Sequence, residues 1–294
     1  MIDFTNMPQR NKAYAGRNGS KISILYNDEL YMLKFPALPT KKTDLSYANS
    51  CISEYIGCKI FESVGIPVQD VTLGLYTVKG GKEKIVVACK DFTADGSVLQ
   101  DFASLKNQIV DSEHNGYGTE LADILAVFTE QSALDPALLS ERFWEMFIVD
   151  ALIGNWDRHN GNWGFLYDRE SDHIRLAPVF DCGSSLFPQA NEEIMKKVLS
   201  ERGELHHRVF NLPRSAITEN GERINYYDFI SSLKNKDCNN ALIRVKARLD
   251  MDRVRAVVDE TPLISDLQKQ FLKVLLTERD KTILERPLNH LIKE

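Results

Sequence analysis

The feature that most constrains the fold of this chain is a pair of short polar segments. The first, residues 154–162, holds Asp157 and Asn162 in the spacing D-x-x-x-x-N, and the second, residues 181–183, holds Asp181 in a D-x-G setting. Between them, residues 165–166 and 174–176 are typical of two short strands. A hairpin of this kind would hold the two polar segments side by side, so three polar side chains are expected to meet at one place.

These residue types suit phosphoryl transfer. Protein kinases use this spacing for their catalytic loop and metal loop. A carboxylate at Asp157 can take the proton of an acceptor hydroxyl, and the oxygens of Asn162 and Asp181 are the hard ligands that Mg²⁺ prefers. Asn, Asp and Gly also gather in ordinary turns, so the two segments alone leave a turn-rich stretch open as an alternative.

A loop of small residues precedes the first predicted hairpin, whose strands cover residues 22–26 and 29–35. Its candidate phosphate-binding residues are Gly16, Gly19, Ser20 and Lys21. Glycines let backbone N–H groups approach phosphate oxygens, and the serine and lysine add donors. The loop matches neither the Walker pattern nor the kinase G-x-G-x-x-G, so an ordinary turn is the alternative.

A lysine inside an apolar strand is the next candidate. Lys34 resembles the strand lysine that grips ATP phosphates, which needs a partner to stay charged in a cleft. Glu54, on a helix predicted over residues 49–64, is expected to be that partner. The plain alternatives are an exposed strand face and a solvated glutamate. Residues 86–92, an apolar strand that contains Cys89 and runs out into polar chain, are expected to be the hinge that contacts adenine through backbone groups, with a plain core strand as the alternative.

Strand signals dominate the first part of the chain and helix signals the remainder. Helices are predicted over residues 121–131, 136–153, 226–233, 239–250, 253–258 and 263–277, and residues 184–203 are expected at the surface with a short helix. We therefore expect an α+β, two-lobed protein-kinase-like fold. Its strand-rich N-lobe would comprise residues 1–92 and its mainly helical C-lobe residues 93–294, with a cleft between them.

The composition excludes some classes of function. A net charge of −6 argues against non-specific nucleic-acid binding. The five cysteines form no C-x-x-C pair, which favours reduced thiols in a cytoplasm. No apolar leader or membrane span is visible. We expect a cytoplasmic protein with neither a membrane nor a direct nucleic-acid partner.

Together these segments resemble the HipA-type serine/threonine kinases of bacteria, in the compact CtkA-like form. The resemblance rests on residues 31–35, 53–55, 65–67, 153–162 and 178–185, which follow the order of the family. It implies ATP and Mg²⁺ as cofactors, Asp157 as the catalytic base, and Asn162 and Asp181 as magnesium ligands. It also implies that Lys34 contacts phosphates, that Glu54 orients Lys34, and that His159 supports catalysis.

The resemblance further implies a protein substrate with a serine or threonine acceptor. Many members are toxins restrained by a DNA-binding antitoxin, which makes an antitoxin a candidate partner. Several phosphorylate a serine in their own loop, but here Ala13 lies near that position and Ser20 further along. The alternatives are a small-molecule or lipid kinase of related fold, because D-R-H-x-x-N loops also resemble phosphoinositide and aminoglycoside kinases, and a catalytically silent kinase-fold binding module.

Overall fold

The computed structural model of the protein describes residues 1–14, 20–36, 48–109 and 115–293. Within these ranges the strands are β1 (Gln9–Arg10), β2 (Lys21–Tyr26), β3 (Glu29–Lys34), β4 (Val71–Thr77), β5 (Glu83–Lys90), β6 (Val98–Asp101), β7 (Gly164–Asp168), β8 (His173–Leu176), β9 (Arg214–Glu219) and β10 (Glu222–Asn225). The helices are α1 (Ser50–Ser63), α2 (Phe102–Ile109), α3 (Leu121–Glu130), α4 (Pro136–Ile153), α5 (Glu192–Ser200), α6 (Arg202–Phe210), α7 (Tyr226–Ser231), α8 (Lys236–Arg248), α9 (Met251–Glu260), α10 (Asp266–Arg279) and α11 (Arg286–Leu291), with a π-helical segment, Asp280–Glu285, before the last.

The N-terminal part is an antiparallel sheet in the order β1-β2-β3-β5-β4. The predicted strands are present, and β1 is an addition that pairs with β2, so residues 11–20 connect two hydrogen-bonded strands. Helix α1 packs against β4 and β5, and its apolar residues at helical spacing, such as Ile52, Ile56 and Ile60, are buried. The sheet and this helix set the frame in which Lys34 and Glu54 face each other.

Helix α4 is central to the C-terminal part and leads into the first polar segment. It begins as predicted, with the Asp135 side chain accepting from the Ala137 N–H at 2.9 Å and with Pro136 in the first turn. It ends at Gly154, whose φ of 64° is left-handed. A Cβ at Gly154 would also approach Pro213 at 3.1 Å, so both the backbone and the packing favour glycine there.

Strands β7 and β8 form the predicted hairpin between the two polar segments, and β6 adds a third strand to it. Gly164 begins β7 so close to β6 that a Cβ would lie 2.2 Å from the Gln100 carbonyl oxygen. This close packing anchors the hairpin directly after the first polar segment.

The C-terminal part is mainly helical, as expected, and it also contains the β9–β10 hairpin, for which the Asn220–Gly221 pair is a sequence signal. One expectation for this part was wrong. Residues 184–188, expected at the surface, are largely buried, because Leu186 and Phe187 join the core and the Leu186 N–H bonds to the Ile153 carbonyl at 2.8 Å. Across the described ranges, no helix is both long and apolar enough to span a bilayer.

Candidate active site

Asn155, within the first polar segment, is fully buried and anchors that segment to the helices around it. Its Oδ1 accepts from the Asp157 N–H at 3.0 Å, and its Nδ2 donates to Asp150 at 3.0 Å. The hydroxyl of Tyr226 donates to the Asn155 carbonyl at 2.6 Å. These bonds fix the backbone of Asp157 relative to helices α4 and α7, while the Asp157 side chain stays half-buried.

Arg158 ties the two polar segments together. Its guanidinium bonds to the carboxylate of Asp150 through Nε at 2.9 Å and through Nη2 at 3.2 Å, an ion pair in which both groups are buried. Its Nη1 donates to the carbonyl of Asn162 at 2.9 Å and also to the carbonyl of Phe180. One side chain therefore fixes Asn162 and the residue before Asp181, because a guanidinium presents its donors in a rigid fork.

The two candidate metal ligands present oxygen atoms. The Asn162 Nδ2 donates to the Asp157 carbonyl at 2.8 Å, which turns the amide oxygen away from that carbonyl. Asp181 accepts from Lys34 through Oδ1 at 3.1 Å, and within the described residues its Oδ2 has no hydrogen-bond donor. Asp181 also has a φ of 60°, a conformation that is uncommon for a non-glycine residue and concentrates at functional sites.

Lys34 lies between two carboxylates. The predicted pairing with Glu54 is present, with Nζ 3.0 Å from Oε2, and Asp181 lies on the other side at 3.1 Å. Burial opposes the charge of Lys34, but Asp181 and Glu54 outweigh it and raise its pKa well above the usual value. Lys34 is therefore charged, and it links the sheet, helix α1 and the second polar segment.

Lys21 stands directly opposite Lys34 in the pairing of β2 with β3. Burial and the charge of Lys34 lower the pKa of Lys21. Like charges directly opposite in a sheet repel, and a bound anion would relieve that repulsion. Ser20 precedes Lys21 and is exposed, whereas Gly16 and Gly19 lie outside the described residues.

The electrostatic environment of Asp157 is mixed. Burial raises its pKa, and the charge of Asp181 acts in the same direction, while nearby His159 and the positive charges of Arg223 and Arg158 oppose the shift. The net effect is a raised pKa, which makes this carboxylate a better proton acceptor. The Ser184 hydroxyl donates to Oδ2 of Asp157 at 3.5 Å.

His159 has a local role in the loop. Its Nδ1 accepts from the Gly161 N–H at 3.0 Å, and its ring meets that of Tyr117 edge-on, with centroids 6.4 Å apart. These contacts shape the turn that carries Asn162.

Cys89 does not fit the predicted hinge contact. It lies opposite Met32 in β3 and Val71 in β4, so its backbone is inside the sheet, and its thiol is fully buried. The chain leaves the sheet after Lys90. Any backbone contact to a base would therefore come from residues that follow Lys90.

The first residue beyond β5, Asp91, is an anchor that the sequence analysis missed. Its carboxylate pairs with Lys12 at 2.6 Å and accepts from the Tyr14 hydroxyl at 2.8 Å. These two residues directly precede the glycine-containing loop. Lys12 and Tyr14 are thus fastened to the end of β5.

Other supporting residues also escaped prediction, although some left a signal. Asp150 is the one charged residue in the apolar second half of helix α4, residues 146–153, which demands a buried partner, and Arg158 is that partner. Arg279 carries no such signal. It is buried and donates to the Ala151 carbonyl at 2.7 Å and to the Leu152 carbonyl at 3.2 Å, so it caps the end of α4, and burial lowers its pKa to about 10.

Comparison with known proteins decides the family. The family model of the HipA-like C-terminal domain matches residues 10–260. This chain belongs to the HipA-like family. It is 46% identical over 286 residues to the serine/threonine-protein kinase CtkA of Helicobacter pylori (strain J99), an alignment that covers 97% of this chain and 86% of the relative.

Solved structures agree with this assignment. The crystal structure of a proinflammatory kinase CtkA from H. pylori matches this HipA-like chain with a TM-score of 0.93 and 45% identity, covering 99% of this chain and 98% of that one. A HipA toxin–antitoxin complex with HipB and operator DNA from Shewanella oneidensis MR-1 matches with a TM-score of 0.54 and 14% identity, covering 96% of this chain and 67% of that one, which shows the fold alone. The predicted kinase-like α+β fold and phosphotransferase class are confirmed.

Proposed function

We propose that this HipA-like protein transfers the γ-phosphoryl group of ATP, with Mg²⁺, to a serine or threonine hydroxyl of a protein. The observation that carries the proposal is the bridge that Lys34 makes between Glu54 and Asp181. A lysine held in this way is the phosphate-binding group of kinases. The 46% identity to a serine/threonine-protein kinase supports the same acceptor chemistry.

The donor set fits magnesium. Asn162 and Asp181 offer an amide oxygen and a carboxylate oxygen, both of which suit a hard cation. Magnesium takes one or two protein ligands and completes its shell with phosphate oxygens and water, so two such oxygens are a sufficient set from the protein.

The charges fit a polyphosphate. Lys21 and Lys34 stand opposite each other, and each can donate to phosphate oxygens once an anion is present. Lys12 and Tyr14 are fastened to Asp91 at the end of β5, and Gly16, Gly19 and Ser20 stay candidate donors to the phosphates. Mg²⁺, when bound, supplies neutralisation of charge on the phosphates.

The chain's own groups then perform the remaining tasks. Asp157 orients the acceptor hydroxyl and accepts its proton, and its raised pKa favours that transfer. Glu54 keeps Lys34 in position, while Arg158 keeps Asn162 and the backbone before Asp181 at a fixed separation. Most of the rate enhancement would come from positioning and charge neutralisation, since no covalent intermediate with the protein is needed.

The test is a substitution at Asp157. We expect Asp157→Ala to lower phosphate transfer from labelled ATP to protein acceptors by about 10²- to 10⁴-fold, the usual contribution of a general base. Nucleotide binding, measured by calorimetry with Mg²⁺, should be retained, because Asp157 does not contact the phosphates in this scheme. Undiminished transfer by the variant would contradict the proposal.

An antitoxin partner and a cytoplasmic location stay predictions, whereas self-inactivation by loop phosphorylation is not expected, since Ala13 lies near the position of the family's serine. The HipA chain of S. oneidensis was solved with HipB and operator DNA, so a DNA-binding protein is the first candidate partner. Co-purification of such a protein with this chain would test the first prediction, and mass spectrometry of Ser20 after incubation with ATP would test the last.

A further inference from the structure

An exposed arginine, Arg223, contacts the first polar segment, residues 154–162, which is the proposed catalytic loop. Arg223, on β10, donates through Nη2 to the carbonyl of Trp156 at 2.6 Å, and Trp156 directly precedes Asp157. Within the described residues this is its one hydrogen bond, and no carboxylate forms an ion pair with it. Most of the five N–H donors of the guanidinium therefore remain available to a ligand.

Arg223 also forms part of a groove. The groove has a volume of about 500 Å³, and its charged lining residues are Arg214, Arg223 and Lys234 with Glu219, Glu222 and Asp228, so its charges balance and Arg223 is the cation that reaches the catalytic loop. Arg223 thus links the groove to the residue before Asp157. A chain that lies in this groove and passes Arg223 would bring its neighbouring side chains toward the candidate catalytic base.

The chemistry of Arg223 selects the kind of side chain that it would meet. A guanidinium presents parallel donors that match the two oxygens of a carboxylate. An acceptor with Asp or Glu next to its serine or threonine would form an ion pair with Arg223. The same ion pair would attract the acceptor toward the catalytic loop. A lysine at the same place would be repelled.

We propose that this groove binds the acceptor polypeptide and that Arg223 selects acceptors with a carboxylate adjacent to the serine or threonine. The inference rests on the proposed protein-kinase function and adds the sequence preference of its substrate. Arg223 is a specificity-determining residue in this scheme. It contacts the acceptor and not the nucleotide.

The experiment uses peptide libraries with one serine or threonine and with Asp, Gln or Lys fixed at each neighbouring position. The quantity measured is kcat/KM relative to the Gln peptides. Wild type should prefer Asp over Gln by about 3- to 5-fold at one position, the size expected of one partly exposed ion pair. Arg223→Gln should lose this preference, so that its kcat/KM on the Asp peptides equals its own kcat/KM on the Gln peptides. Arg223→Glu should reverse the preference in favour of Lys.

Arg214→Gln is the matched control. It removes the same charge from the same hairpin and the same groove, but Arg214 pairs with Asn225 at the other end of the strands. The control should keep the wild-type preference. An equal loss in Arg214→Gln would overturn the assignment to Arg223, because the preference would then arise from the overall charge of the groove and not from a contact with Arg223.

Three further results would count against the inference. A wild-type enzyme that transfers phosphate without any preference at the neighbouring positions would overturn it and leave the kinase function standing. An equal fall of Arg223→Gln on every peptide, together with a fall in acceptor-free ATP hydrolysis, would place Arg223 on the phosphates and overturn it. Failure of wild type to phosphorylate any peptide or protein would overturn the proposed function as well.

Discussion

The residues that support the catalytic loop and the β9–β10 hairpin beside the loop differ in burial and in hydrogen bonding. Beneath the loop, Asp150, Asn155 and Arg158 are almost fully buried and bond to one another and to the backbone. On the acceptor side, Arg223 is exposed and is held to the loop by one hydrogen bond. Buried polar groups are costly to leave unpaired, so the first region tolerates one arrangement, whereas the second can adapt to different acceptors.

The largest effect is expected from breaking the buried region at Arg158. Arg158→Met leaves the Asp150 carboxylate buried without its cation, so the free energy of unfolding should fall by about 3–5 kcal/mol. Transfer activity should fall as well, because the carbonyls of Asn162 and Phe180 lose their common donor. Denaturant unfolding and labelled-ATP assays measure the two effects.

A double variant separates stability from positioning. Asp150→Leu combined with Arg158→Met removes both charges, and the free energy of unfolding should recover most of its loss, while activity stays low. Arg223→Gln is the matched exposed control, and its stability should stay within about 0.5 kcal/mol of wild type. Recovery of full activity in the double variant would show that Arg158 acts only on stability.

A smaller effect is expected at Lys34. Lys34→Met removes a charged hydrogen-bond donor to the phosphates, so the free energy of nucleotide binding should weaken by about 1.5–3 kcal/mol. The affinity for ATP should therefore drop by about 10- to 100-fold. Lys90→Met, which breaks an exposed pair with Glu29 in the same sheet, should leave binding nearly unchanged. Calorimetric titration with ATP and Mg²⁺ compares the two, and equal affinity in both variants would refute the role of Lys34.

The pH profile of kcat/KM should report Asp157. The carboxylate acts in its ionised form, so activity falls as the pH drops through its raised pKa, and the acid limb lies at higher pH than for an ordinary aspartate. Arg223→Gln removes a positive charge that opposes the shift, so it should move the limb further upward. A limb that moves downward in this variant would contradict this electrostatic account.

The smallest effect is expected at the tip of the hairpin. The Glu120 carboxylate accepts from the N–H groups of Asn220 at 2.7 Å and Gly221 at 3.1 Å. Burial opposes its charge, but these bonds lower its pKa overall. The carboxylate therefore stabilises the folded protein at pH values above its pKa in the unfolded chain. This stabilisation is lost as the pH falls through its lower pKa in the folded protein. Glu120→Gln should lower the free energy of unfolding at pH 7 by about 1 kcal/mol or less. Urea unfolding at pH 7 and pH 3 tests this, since the difference from wild type should shrink at the lower pH.

Local signals were enough to predict the regular elements. Helix α4 carries an Asp135-Pro136 start and a glycine stop, and its bounds match the prediction. Strands β2, β3, β7 and β8 follow alternation and turn signals. The two-residue β1 is too short to show such a pattern, and the polar β6 depends on β7, a partner strand distant in sequence. The boundary between lobes at residues 92 and 93 stays a prediction.

The candidate site was predicted more completely than its supports. Lys34, Asp157, Asn162 and Asp181 stand out because their spacing is dictated by the chemistry. Their anchors do not follow from spacing. Arg279 reaches the end of α4 from α10 and Arg223 reaches the catalytic loop from β10, and such contacts arise only once the helices and the hairpin have packed. Tertiary packing also buries residues 184–188, against the expectation from their position after a loop.

The most direct test of the central claim is a crystal structure of the protein with a non-hydrolysable ATP analogue and Mg²⁺. The account predicts a magnesium ion bonded to oxygens of both Asn162 and Asp181 at about 2.1 Å, with Lys34 on the phosphates and Asp157 facing the γ-phosphoryl group. A nucleotide bound elsewhere, or a metal ion that contacts neither Asn162 nor Asp181, would contradict it.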